Sequence, residues 1–109
     1  MATGRLGAAN FATAGDLISV YTVPSDTFSV VTLSICNRNN QACSIRVAVA
    51  SAATPAANGS EWIEYDTEVL GKGVLERTGI VMDAGRLLVV YSSAANVSAV
   101  AFGIETPTA

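Results

Sequence analysis

The sequence predicts an all-β fold, a single-domain antiparallel β-sandwich of seven or eight strands, of jelly-roll or Ig-like type. Three observations carry this expectation. Apolar residues alternate with period two almost everywhere from Asp16 onward, β-branched residues are abundant, and turn-forming residues return about every ten positions. Period two sends successive side chains to opposite faces, so each run can bury one face and leave the other to water. Residues 52–57 are rich in alanine, but Pro55 and the closing Asn58-Gly59 favour a loop over a helix.

Taken in chain order, residues 1–15 are rich in Ala, Gly, Thr and Asn, with Leu6 and Phe11 as their anchoring apolar side chains. Such a segment orders only when docked. It is expected to be an arm, residues 2–11, laid across another subunit; the competing reading is an edge strand of the protein's own sheet over residues 5–11. The sandwich proper is placed at residues 16–104. Its first strand, 17–23, ends at Pro24-Ser25-Asp26. In the second, 27–36, Val31, Leu33 and Ile35 share one face, and Thr32, Ser34 and Cys36 the other. In the third, 43–51, Ile45, Val47 and Val49 oppose Ser44, Arg46 and Ala48. Pairing these two strands as neighbours sets Ile35 against Ile45 and Leu33 against Val47. That register leaves Cys36 outside and Cys43 inside, so two free thiols are expected, which suits a reducing cytosol. A bulge in the intervening loop would reverse this parity.

The remaining strands are expected at 61–69, 74–81, 86–92 and 96–104, with breaks at residues 54–59, Gly71-Lys72-Gly73, Asp83-Ala84-Gly85 and residues 93–95. Gly71-Lys72-Gly73 is too short for a phosphate-binding loop, lacks its Ser/Thr and joins two strands, so it reads as a turn. Residues 105–109 form a short polar tail containing Pro107. The core is expected to comprise Leu33, Ile35, Ile45, Val47, Ile63, Leu75, Val81, Val89 and Tyr91.

Composition narrows the function. The chain has 109 residues, 50% of them hydrophobic and 14% charged, and no histidine. A domain of this size buries roughly 60–70% of the surface its unfolded chain exposes, enough for one core without staples. Charged residues usually make up about a quarter of a soluble domain, so much of this surface falls to small neutral residues suited to contact with protein. A net charge of −3, with six basic residues scattered singly, offers no footprint for a phosphate backbone, and no nucleic-acid partner is expected. Without histidine, Ser-His triads and the usual zinc sites are excluded. No catalytic residue, cofactor site or metal site is expected, and the chain is not read as an enzyme. The start of the chain lacks the apolar run of a signal peptide, and no stretch reaches the ~20 apolar residues of a membrane span, so no membrane partner is expected. The triplets Asn58-Gly59-Ser60 and Asn96-Val97-Ser98 are then chance matches to the glycosylation pattern.

Four residues stand out as interface candidates: Leu6, Phe11, Trp62 and Arg77. The strand at 61–69 holds Glu61, Glu64, Asp66 and Glu68, with Ile63, Tyr65 and Val69 on the parity opposite the last three and Trp62 on the acidic side. The carboxylates read as a solvated face rather than a Ca²⁺ site, because alternate residues of one strand lie ~7 Å apart. Trp62 either stands at an interface or packs under the loop at 54–59. Arg77 shares parity with Leu75, Gly79 and Val81; it is either covered, with a carboxylate supplied by a neighbouring copy, or an exposed edge residue. A carbohydrate-binding role would use Trp62 and Tyr65 or Tyr91 for stacking and Glu64 and Asp66 as acceptors, although aromatic residues make up only 6% of the chain.

The segments VYTVPSDTFSVVTLSICNRNNQACSIRVAVA, EWIEYD and GVLERTGIVMDAGRLLVVYSSAANVSAVAFGIE, following MATGRLGAA, span nearly the whole chain. As an ordered set they resemble the small virion structural proteins of tailed phages that infect marine cyanobacteria. The resemblance implies a β-sandwich used as a building block of the particle, made in the host cytoplasm and located in the virion, with no catalytic residues. With the composition, it points to a capsid decoration or cement protein whose partners are itself, as a homo-oligomer or lattice copies, and the major capsid protein or another virion protein. A tail, neck or fibre module is the alternative.

Overall fold

The computed structural model describes residues 3–108. Met1 and Ala2 of the expected arm, and Ala109 of the expected tail, lie outside the described residues. The chain forms eight strands: β1 (Thr3–Phe11), β2 (Leu17–Thr22), β3 (Thr27–Asn37), β4 (Cys43–Ala50), β5 (Trp62–Val69), β6 (Val74–Met82), β7 (Leu87–Ser92) and β8 (Val97–Pro107). They build two four-stranded sheets, sheet A in the order β1-β8-β3-β6 and sheet B in the order β2-β7-β4-β5. Every pairing is antiparallel. Successive strands thus alternate between sheets, except where β4 runs on to β5, and this winding is the jelly roll.

The core lies between the sheets. Val31, Leu33 and Ile35 of β3 and Ile45 and Val47 of β4 are buried to 1% or less, with Phe11, Leu88, Val90, Val97, Ala99 and Ala101 among their companions. Alternation therefore gives the buried faces of β3 and β4 correctly, but these strands do not pair. They lie in opposite sheets, and the connection between them crosses the sandwich. Asn37 holds that crossing: its buried side chain donates from Nδ2 to the carbonyls of Gln41 at 2.8 Å and Val69 at 3.1 Å, while its Oδ1 accepts from the Asn39 N–H at 3.0 Å. A buried amide with this many partners fixes the turn.

Three core expectations are corrected. Val81 is 68% exposed, because Thr78 and Gly79 together stand opposite Thr32 in a β-bulge and reverse the parity beyond it. Gly79 takes φ +69, which a Cβ would strain, and Ile80 and Met82 point inward instead. In β7 both parities are apolar, and pairing with β4 decides between them: Val90 lies beside Val47, turning Leu88 and Val90 inward and Val89 and Tyr91 outward. Val89 is still covered, in a small outer cluster with Ala48, Ala50, Trp62 and Leu87.

The chain ends also differ from expectation. Residues 3–11 are an edge strand paired with β8, and Phe11 is wholly buried in its own core, so the reading of this segment as an arm across a neighbour is corrected. Leu6 occupies the bulge between Arg5 and Gly7 and packs against the same core. At Gly7 β1 comes so close to β2 that any Cβ would collide with the Val20 carbonyl oxygen. The tail is corrected too. β8 continues to Pro107 opposite Thr27, and Glu105 is buried, accepting a hydrogen bond from the Tyr21 hydroxyl.

Candidate functional site

The two outer faces of the sandwich differ in their chemistry. On the outer face of sheet B, Arg46 of β4 lies opposite Tyr91 of β7. Its guanidinium carbon sits 4.2 Å from the Tyr65 ring centroid and 4.7 Å from that of Tyr91. Asp66 fixes the guanidinium in a fork, with Nε to Oδ1 at 2.6 Å and Nη2 to Oδ2 at 3.2 Å. The Arg46 hydrogen bond holds the Asp66 carboxyl below its ordinary value, and Asp66 in turn pushes the guanidinium up. Trp62 meets Tyr65 edge-on, with ring centroids 5.4 Å apart, and its Nε1 donates to the Ala56 carbonyl at 2.8 Å. The loop at 54–59 therefore ties Trp62 down. It is half-buried rather than displayed.

This cluster exists because β5 is irregular. Tyr65 and Asp66, the latter at φ +53, together stand opposite Arg46, and a second register shift leaves Ile63 as an extra residue between the Ala48–Trp62 and Val47–Glu64 pairs, so Tyr65 comes to the same outer face as Trp62. Strict alternation had placed the two rings on opposite faces. One face of each tyrosine ring is already occupied by Arg46, and Asp66 is engaged by the same side chain; both are groups that sugar stacking and sugar hydrogen bonding would need.

Arg77 and Glu64 close the open side of the sandwich, where β6 is the edge of sheet A and β5 the edge of sheet B. Arg77 Nη1 lies 2.5 Å from Glu64 Oε2, and Glu64 Oε1 accepts from the Thr67 hydroxyl at 2.6 Å. The carboxylate for Arg77 thus comes from its own chain, correcting the expectation that a neighbouring copy supplies it. Arg77 remains 43% exposed, so this is a surface bridge between sheets. Of the four interface candidates, Leu6 and Phe11 serve their own core, Trp62 packs under a loop and Arg77 bridges the sheets. The structure does not bring them together.

The outer face of sheet A carries what the candidate list missed. Phe28, Val30, Val81, Phe102 and Ile104 are 37–68% exposed there. Val81, Val30 and Ile104 are direct cross-strand partners in one row, and Phe102 pairs with Thr32 and Phe28 with Thr106 in flanking rows. A signal for them was present: β3 and β8 carry large apolar residues at the parity opposite their core-facing set. Cys36 is half-buried on this face, Cys43 is buried, and both thiols are free. Burial pushes the Cys43 thiol up, away from nucleophilic reactivity at neutral pH. Among the described residues, no group of three or more His, Cys, Asp or Glu is placed to hold a metal ion.

All four edge strands are irregular. Register shifts interrupt the pairings of β1 with β8, β2 with β7, β6 with β3 and β5 with β4, whereas the inner pairings β3–β8 and β4–β7 run without a break. Bulged edges resist addition of another strand.

No protein-family model matches the chain, and no curated protein matches it. Among solved structures it is similar to a chain of the acidic stable capsid structure of Helicobacter pylori bacteriophage KHP30, with a TM-score of 0.57 and 15% identity, over 96% of this chain and 94% of that one. At that identity the likeness is one of fold. It reaches a phage of Helicobacter, not one of a marine cyanobacterium.

Proposed function

We propose that this chain is a non-enzymatic structural component of a phage virion, a decoration or cement protein that binds copies of itself and the major capsid protein or another virion protein. The observation that carries the reading is the end-to-end likeness of its jelly roll to a chain of a phage capsid structure, with almost nothing left over in either chain. The surface agrees: sparse charge, an apolar face on sheet A and a rigid guanidinium-aromatic cluster on sheet B are features of protein contact. Burial stabilises by ~25 cal/mol per Å² before the costs of association, so a single small contact is weak, and repetition over a lattice supplies the strength.

Quantitative mass spectrometry of purified particles of the encoding virus tests this. Hundreds of copies per particle support a capsid position. A few to tens support a tail, neck or fibre module instead, and a copy number near zero sinks the virion reading altogether.

A further inference from the structure

The apolar row on sheet A is flanked by two charges of opposite sign. Arg5 lies on β1, level with Phe102, and Glu76 on β6, level with Ser34. Both are exposed, and among the described residues neither has an ion-pair or hydrogen-bond partner. Among the described residues the other cationic side chains each have one: Arg38 with Asn10, Arg46 with Asp66, Lys72 with the Arg38 carbonyl, Arg77 with Glu64 and Arg86 with Asp83. Four strands at about 4.8 Å spacing put Arg5 and Glu76 some 14 Å apart across the sheet, too far to meet within one copy.

We propose that the occupant of this face is a second copy of the chain, its own sheet A packed on the first about a two-fold axis running along the strands. Such a rotation exchanges the edges, so β1 of each copy lies over β6 of the other and Val30 faces the other copy's Ile104. Arg5 and Glu76 then sit two residues apart along the strand direction, ~7 Å, within reach of their side chains, and the pair forms twice. An axis across the strands instead sets like edge on like edge, Arg5 with Arg5, and forfeits both pairs.

Area permits the contact. The molecule measures 46 × 29 × 21 Å, and its broad face can supply the ~800 Å² per partner of an ordinary interface. The apolar patch, on the order of a few hundred Å², is as large as monomers commonly leave to water. Bulged edges leave the faces as the route of self-contact, and on sheet B the loop at 54–59 and the Arg46 cluster already occupy the surface.

This contact deepens the virion reading and rests on it for the many copies, but the two fail separately: particles lacking the chain sink that reading, while solution behaviour decides this one. Sedimentation equilibrium of the full chain over a range of concentrations is the test. A monomer–dimer equilibrium is expected. Ile104→Lys should weaken it by about tenfold or more, and Arg5→Glu and Glu76→Arg alone by several-fold each, while the double variant Arg5→Glu/Glu76→Arg recovers most of the loss. Tyr65→Ala, on the other sheet, should leave it unchanged. Circular dichroism checks that each variant folds, and the two charge variants lie at exposed positions that the fold does not use. A monomer at all concentrations up to roughly 1 mM, a dimer indifferent to Ile104→Lys, or a double variant no tighter than the single ones overturns the proposal.

Discussion

Tyr21, on sheet B, donates its hydroxyl to Glu105 Oε2, on sheet A, at 2.6 Å, and the Tyr21 hydroxyl oxygen also lies 2.6 Å from Ser29 Oγ. All three residues are at most 7% exposed. The sandwich is therefore tied across its layers by a polar contact inside an apolar core, at the end of β8 that sequence alone marks as a loose tail. Polar groups confined in this way specify one docking of two sheets where apolar contact alone tolerates slippage.

Removing that tie has a measurable signature. Tyr21→Phe should cost about 1–3 kcal/mol, because Ser29 and Glu105 stay buried without the hydroxyl. Burial foremost, and then the Glu105 hydrogen bond, push the Tyr21 hydroxyl from its ordinary 10.0 up to about 12. The folded state thus favours the neutral phenol. Its contribution is complete below pH 10 and is lost as pH rises from about 10 through 12, a loss of about 3 kcal/mol for a two-unit shift. Urea unfolding across that range should show the wild-type advantage over Tyr21→Phe shrinking. Equal alkaline loss in both chains would mean that Tyr21 is not its source.

The bulge at Gly79 makes neighbouring residues unequal. Leu33→Ala and Ile45→Ala should each cost ~2–5 kcal/mol, whereas Val81→Ala, on the outer face, should stay within ~0.5 kcal/mol. Denaturant midpoints decide. A large cost at Val81 would return it to the core and remove the bulge.

Phe11 closes the core from the edge strand β1, so Phe11→Ala should cost ~3–5 kcal/mol, and deleting residues 2–11 should lower the melting temperature by many degrees in the isolated protein. A truncated chain that melts like the full one would restore the arm.

Much of this architecture was legible in the sequence, and the exceptions share one cause. Strict alternation locates β2 to β8 to within a few residues and gives the inward faces of β3 and β4, because a strand half in water must segregate its side chains. It fails at Val81 and Tyr65, where one extra residue on an edge strand reverses parity, and at β7, whose apolar residues fill both faces so that only pairing with β4 assigns them. The β3–β4 crossing depends on the contacts of Asn37 far along the chain, which no local pattern encodes. The interface candidates were chosen for being large or charged. Leu6, Phe11 and Arg77 met their partners within the chain, while the unsatisfied surface of sheet A was written in β3 and β8 as apolar residues out of phase with the core.

The Arg46 cluster predicts a local titration. Because Arg46 holds the Asp66 carboxyl below its ordinary value, the pair persists as pH falls below the usual carboxylate range and breaks only when Asp66 protonates. Carboxyl NMR titration should place Asp66 below an ordinary aspartate, and Arg46→Met should return it towards that ordinary value. An Asp66 titration unchanged by that substitution would contradict the fork geometry.

The central claim, that this jelly roll is a repeating part of a phage particle, meets its most direct test in a reconstruction of purified particles at side-chain resolution. The account predicts many copies of an eight-stranded sandwich, ordered β1-β8-β3-β6 and β2-β7-β4-β5, seated on the shell through their broad faces with their edges unpaired. A fully resolved particle with no density that accepts this chain would contradict it.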